Sequence, residues 1–171
     1  MKQLLSSPSK FLIPLVVIGL LAGLFFSLGN KSQAPDVTFT TIEGKTIKMS
    51  DLRGKTVLVN FWATDCPGCI KEMPDLVNTY KQYHDKNFEI IAVAMPYDPP
   101  SQVLNYSQKN ALPFPVMHDG FSEISTKFED VRLTPTSFII DKNGKIVRKS
   151  IGELDFASLR SYLDSRKETA S

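Results

Sequence analysis

A near-continuous apolar stretch, Thr56 to Trp62 (TVLVNFW), runs into two cysteines three positions apart, Cys66 and Cys69, and then into a segment with helical periodicity. A run of this length without polar alternation suits a central strand buried on both faces. From Pro67 to about His84, Ile70, Met73, Val77 and Tyr80 recur at three- and four-residue steps, which predicts an amphipathic helix with one core-facing stripe. Pro74 inside that helix is expected to kink it. Phe88 to Ala94 (FEIIAVA) repeats the strand pattern. Strand, helix and strand in this order imply a right-handed parallel crossover and an α/β fold.

The flanking segments complete one domain. Val37 to Thr41 and Lys45 to Met49, divided by Glu43-Gly44, read as a β-hairpin, and Ser50 to Gly54 turns the chain. Asp98-Pro99-Pro100-Ser101 opens a helix that ends near Asn110. Pro113 to Met117 is extended, Ser122 to Phe128 is a short helix, and Ser137 to Ile140 pairs with Lys145 to Ile151 across Asn143-Gly144. Asp155 caps a last helix reaching about Arg166.

The 171 residues accommodate this domain plus an appendage. Phe11 to Leu28 is an 18-residue run without a charge. As a helix it would be about 27 Å long, against a hydrocarbon core of about 30 Å. It reads as a transmembrane anchor, with residues 1–10 cytoplasmic because Lys2, Lys10 and the amino terminus precede it. Residues 29–35 then form a juxtamembrane linker and residues 36–171 an exported domain. Ser32-Gln33-Ala34 offers small residues to a signal peptidase, but Pro35 directly after Ala34 argues against cleavage there. The net charge of +2 belongs to the N-terminus, since setting aside Lys2 and Lys10 leaves 18 basic against 18 acidic residues. No basic footprint for nucleic acid remains.

Two cysteines this close enclose almost no loop, so a bond between them serves chemistry rather than stability. Cys66 falls where the strand gives way to the helix, and free backbone N–H groups and the helix dipole there favour an anion, hence the nucleophilic thiolate. Cys69 lies about 300° further around the helix, facing Cys66 at bonding distance, and can resolve a mixed disulfide. A pair of buried apolar side chains or half a zinc site are the alternatives. Zinc wants four ligands, yet there is no third cysteine, and His84 and His118 stand alone. A strand-CxxC-helix in an exported chain favours redox function over both. No metal or cofactor beyond the dithiol is expected.

Across nearly the whole exported part the sequence resembles the TlpA, ResA and CcmG group of membrane-anchored, thioredoxin-like thiol-disulfide oxidoreductases. The likeness rests on the apolar anchor, the strand from Val57 to Ala63, the CxxC, Glu72-Met73-Pro74, the helix inserted between about Asp98 and Asn110, and Thr134-Pro135-Thr136 before Ser137-Phe138-Ile139-Ile140-Asp141. It implies a thioredoxin-like fold, a central mixed β-sheet flanked by helices, with an N-terminal β-hairpin and an inserted helix. It assigns attack to Cys66, resolution to Cys69 and proton handling to Glu72, one turn past Cys69 on the same helix face. Trp62, Pro67, Gly68, Thr134 and Pro135 are expected to shape the site. A cis Thr134–Pro135 peptide would present the Thr134 backbone to an extended substrate segment. The implied activity is protein-disulfide reduction at the extracytoplasmic, periplasmic face of a bacterial inner membrane. An integral-membrane thiol reductase is the implied electron donor, and apocytochrome c before haem attachment, or another exported protein, the acceptor.

Two positions depart from that group. Asp65 stands where Trp usually precedes the first cysteine. A carboxylate about 6 Å from the sulfur would oppose the thiolate by on the order of 1 kcal/mol, comparable to the benefit of the helix terminus. Pro67-Gly68 is Pro-first, as in the CcmG form, and Gly68 lets a partner's backbone approach. Asn60 occupies the strand position where cytoplasmic thioredoxins carry a buried acid, which leaves proton handling to Glu72. A peroxiredoxin-like antioxidant shares the fold but needs a threonine three residues before its cysteine, where Ala63 stands. A non-catalytic redox-sensing module is the remaining alternative.

Overall fold

The computed structural model describes residues 32–167, together with Pro14 and residues 16–19. The chain divides into two units, Met1–Ser32 and Gln33–Ser171. In the first, Pro14 and residues 16–19 are helical and exposed. The rest of the expected anchor at 11–28 and the expected cytoplasmic N-terminus at 1–10 lie outside the described residues. Among the described residues no helix is long and apolar enough to cross a membrane.

The second unit runs β1 (Thr38–Thr40), β2 (Thr46–Lys48), β3 (Thr56–Trp62), α1 (Pro67–Tyr83), β4 (Phe88–Ala94), α2 (Pro100–Lys109), β5 (Val116–His118), α3 (Glu123–Lys127), β6 (Thr136–Ile140), β7 (Ile146–Ile151) and α4 (Phe156–Lys167). Five strands form one sheet in the order β5-β4-β3-β6-β7, and β1 and β2 form a separate antiparallel hairpin. Parallel pairing joins β3 to β4 and β4 to β5, whereas β6 runs antiparallel to both β3 and β7. The sheet is therefore mixed, as the resemblance implied. The hairpin is held against β5 by the Ile42 N–H on the Val116 carbonyl, 2.8 Å, and so covers a sheet edge that would otherwise be open to pairing. Ala34, late in the expected linker, donates its N–H to the Gly144 carbonyl in the β6–β7 turn, also at 2.8 Å.

Every residue of β3 and β4 is buried, and the two-residue period of a strand sends alternate side chains into two cores. Leu58 and Trp62 pack on one face with Met73, Leu76 and Tyr80 of α1 and with Leu159 and Leu163 of α4. Val57, Val59 and Phe61 pack on the other with Phe39, Phe128 and Phe138. Phe61, Phe128 and Phe138 meet edge to face at centroid distances of 5.5, 6.0 and 5.2 Å, a geometry that adds to their burial. Asp155 caps α4 by accepting the Ser158 N–H at 3.0 Å.

The helix α1 ends one residue before the expected His84 and runs unbroken through Pro74. Its buried stripe, however, is turned from the expected one: Cys69, Glu72, Met73, Leu76, Thr79, Tyr80 and Tyr83 face inward, while Ile70 and Val77 are only half-buried. Apolar residues alone set the expected phase, and they could not count the polar Glu72 and Thr79 as core positions. Leu76→Ala should cost roughly 2–5 kcal/mol of unfolding free energy, and Val77→Ala distinctly less, as measured by urea denaturation. Equal losses would return the stripe to its sequence-predicted phase.

Candidate active site

Cys66 is the N-cap of α1, with extended backbone at φ −96° and ψ 106°. Its Sγ accepts the Cys69 N–H at 3.2 Å, the bond that a serine or aspartate oxygen would accept at such a position. Pro67 follows where the helix has no use for a backbone donor. The two cysteines are joined as a disulfide with Cα atoms 5.3 Å apart. They differ in access: Cys69 is fully buried, whereas Cys66 is half-buried at the edge of the core. Asp65 beside it is exposed to solvent.

The loop between β3 and α1 is clamped from outside. The Thr64 N–H and hydroxyl donate to the two carboxylate oxygens of Asp98, each at 2.6 Å. Asp98 is only 2 % exposed, and its carbonyl lies 2.8 Å from His118 Nε2. The sequence offers Asp98 only as a helix opener; a contact across 34 residues leaves no local signal. Trp62, fully buried, packs on Tyr106 of the inserted helix with ring centroids 5.3 Å apart.

Facing the cysteines, the Thr134–Pro135 peptide is cis. A Cβ placed on Gly68 would sit 3.5 Å from Pro135 Cδ and 3.7 Å from Glu153 Cγ, so the CxxC, the cis-proline loop and the β7–α4 loop converge on Gly68. The Pro135 carbonyl accepts the Gly152 N–H at 2.8 Å, and the hydroxyls of Thr134 and Tyr97 lie 3.2 Å apart. Tyr97, Leu133 and Ile151 are exposed.

Glu72 is 4 % exposed. Its Oε1 accepts from Asn60 Nδ2 at 2.9 Å and its Oε2 from the Leu154 N–H at 3.0 Å. Asn60, fully buried in β3, also donates to Ser137 Oγ at 3.0 Å. Burial pushes the Glu72 carboxyl above its ordinary value, the Leu154 N–H and the Asn60 amide pull it back, and the charge of Glu153 pushes it up again. Glu153 is itself paired with Lys71, Nζ to carboxylate oxygens at 3.0 and 2.8 Å. Sequence reasoning missed Glu153, which approaches the cysteines from 82 residues beyond Lys71.

The structure thus brings Cys66, Cys69, Pro67, Gly68 and Pro135 to one place, with Thr134 adjoining, Glu72 behind and Trp62 in the supporting core. A model of the redoxin family matches residues 29–163. The chain belongs to the redoxin family.

This redoxin is 41% identical over 143 residues to the thiol-disulfide oxidoreductase ResA of Bacillus anthracis, covering 81% of this chain and 82% of that protein. It is 33% identical over 138 residues to ResA of Bacillus subtilis (strain 168), covering 81% and 76%. Among solved structures, a thiol:disulfide interchange protein of the thioredoxin family from Chlorobium tepidum TLS superposes with a TM-score of 0.74 at 28% identity, covering 81% of this chain and 98% of that one. StoA from Bacillus subtilis shares the fold, with a TM-score of 0.66 at 24% identity over 75% of this chain and 96% of that one. With relatives of this identity and a bonded CxxC at the head of α1, the redoxin is a thiol-disulfide oxidoreductase with a thioredoxin-like fold.

A raised folded value for Glu72 means that the native state keeps a proton the unfolded chain has released. Stability is therefore expected to fall as pH rises from 4.5 through the folded value. In Glu72→Gln that part of the decline should be missing from urea midpoints measured over the same range. A slope identical to wild type would contradict the raised carboxyl.

Proposed function

We propose that this oxidoreductase works as a protein-disulfide reductase on exported proteins, tethered to a bacterial inner membrane by residues 11–28 with its domain on the periplasmic, extracytoplasmic side. The observation that carries the order of attack is the asymmetry of the pair, a half-exposed Cys66 at the helix N-cap and a sealed Cys69 behind it. In the reduced protein the Cys66 thiolate attacks one sulfur of a substrate disulfide, forming a mixed disulfide and releasing the other substrate sulfur as thiolate. Glu72, as carboxylate, takes the Cys69 proton. The Cys69 thiolate then attacks Cys66 Sγ, closing the Cys66–Cys69 disulfide and expelling the second substrate thiolate. Two electrons pass to the substrate, and the released thiolates take up protons.

Recharging needs a dithiol donor, for which an integral-membrane thiol reductase is the proposed partner. Apocytochrome c before haem attachment, or another exported protein, is the proposed acceptor. Tethering would raise the effective concentration of membrane-associated partners. The chemistry uses only the dithiol and calls on no further cofactor. The approach of Pro135 to Gly68 supports the substrate side of the reading, because an extended segment reaching the disulfide could pair there with the Thr134 backbone.

Equilibration in glutathione buffers should give a reduction potential at or below roughly −250 mV. With a chemical reductant the protein should turn over insulin, Cys66→Ser should be inert, and Cys69→Ser should accumulate the mixed disulfide. A potential near about −120 mV would make the protein an oxidant, and slow, non-catalytic exchange would make it a sensor.

A further inference from the structure

Asn60 is fully buried in the central strand, directly opposite Ser137 of β6, and its Nδ2 reaches both Ser137 Oγ and Glu72 Oε1. We propose that Asn60 is a positioning residue that sets the pH range in which Glu72 gains and loses its proton, by turning its amide between a donor and an acceptor face. The inference rests on the reading of Glu72 as the proton carrier for Cys69.

A carboxylate can only accept, so an ionised Glu72 needs the Nδ2–H donors now aimed at it. A protonated Glu72 must instead donate, and an amide turned by half a revolution offers Oδ1 in the same place. Ser137 permits the turn, because its hydroxyl accepts from Nδ2 in one state and donates to Oδ1 in the other. Oδ1 finds no hydrogen-bond partner among the described residues, so the turn breaks no bond on its far side; its cost is the pair of Nδ2–H donors it carries there, and that cost holds the amide in its donor orientation until Glu72 takes up a proton. The second contact of Glu72, the Leu154 N–H, is a fixed donor that favours only the charged form. Asn60 is thus the hydrogen-bonded neighbour of the carboxyl able to serve both forms.

The other groups facing Glu72 change little with the turn. Glu153, from the β7–α4 loop, opposes the carboxylate through space, and its own charge is offset by Lys71 of α1 at 2.8 Å. Cys69, one turn earlier on α1, holds no titrating proton while the disulfide is closed. The oxidised protein therefore isolates the carboxyl.

The test is the side-chain carboxyl ¹³C titration of Glu72 in the oxidised full-length protein, for wild type, Asn60→Leu and Asn60→Asp. In wild type the Asn60 side-chain amide resonances should move with the Glu72 midpoint. Asn60→Leu, which takes away the amide donor, should raise that midpoint by about one pH unit, a tenfold gain in proton affinity. Asn60→Asp, nearly the same shape, should split the titration into two coupled steps, and it covers the case in which the leucine variant does not fold. A Glu72 midpoint within about 0.2 pH unit of wild type in the folded variants, set against that one-unit expectation, would overturn the proposal. The pH profile of exchange in the reduced Glu72→Gln variant separates the two layers. A profile unchanged from wild type removes Glu72 as proton carrier, while the carboxyl titrations still decide whether Asn60 controls it.

Discussion

One hydrogen bond organises the site: the Cys69 N–H to Cys66 Sγ, 3.2 Å. For that bond to form, Cys66 must be the N-cap of α1, which requires β3 to stop at Trp62 and the helix to start at Pro67. Within the intervening loop the Cys66 N–H reaches the Ala63 carbonyl at 3.3 Å, and the Thr64 N–H and hydroxyl are left for a partner from elsewhere. Asp98 is that partner, holding both donors of Thr64 from the loop that follows β4. A carboxylate as buried as Asp98 would be costly without such donors, so the clamp and the loop stabilise each other. The sulfur therefore sits where free backbone N–H groups converge, and a thiolate formed there on reduction meets donors already in place.

The second constraint is a carboxyl inside the core. Glu72 lies on the buried stripe of α1 among apolar side chains, and desolvation dominates its behaviour. Two donors, one from β3 and one from the β7–α4 loop, keep the ionised form accessible without abolishing the penalty. The exposed Lys71–Glu153 pair just outside is worth little to stability, being solvated and screened by salt. Its bearing on the site is local, since it fixes a negative charge near Glu72 and brings Glu153 against Gly68.

The strands, the helices and the CxxC at the head of α1 were legible in the sequence because each is written within a few neighbouring residues: a continuous apolar run, a three-to-four period, a Pro after the cap. The cis peptide came only with the family resemblance, and the proposed role of Glu72 leaned on it beyond what helix spacing gives, since neither Thr134-Pro135 nor a helical Glu has a local signature that separates it from a surface turn or a solvated charge. What the sequence could not show were contacts between distant segments. Asp98 on Thr64, Glu153 on Lys71 and Asn60 on Glu72 pair residues 34, 82 and 12 positions apart. The expected stripe of α1 holds Met73 and Tyr80 in the core and Ile70 and Val77 at its half-buried margin, but it leaves out the polar side of the core face, as polar residues that become core members by hydrogen bonding look like surface positions in a hydropathy pattern.

Those distant contacts converge because of the direction of the strands. β3 and β4 run parallel and end together, Trp62 opposite Ala94, which puts Cys66 and Asp98 at one edge of the sheet. β6 runs the other way, so its first residue, Thr136, lies opposite Phe61, and the proline preceding it arrives at that same edge. β7 reverses again and finishes with Ile151 opposite Thr136, delivering Glu153 and the Leu154 N–H there too. Had β6 been parallel to β3, Pro135 would enter at the opposite end of the sheet, a strand's length from Gly68. The antiparallel half of a mixed sheet is what allows four separate loops to surround one disulfide, and it makes the site a property of topology as much as of the two cysteines.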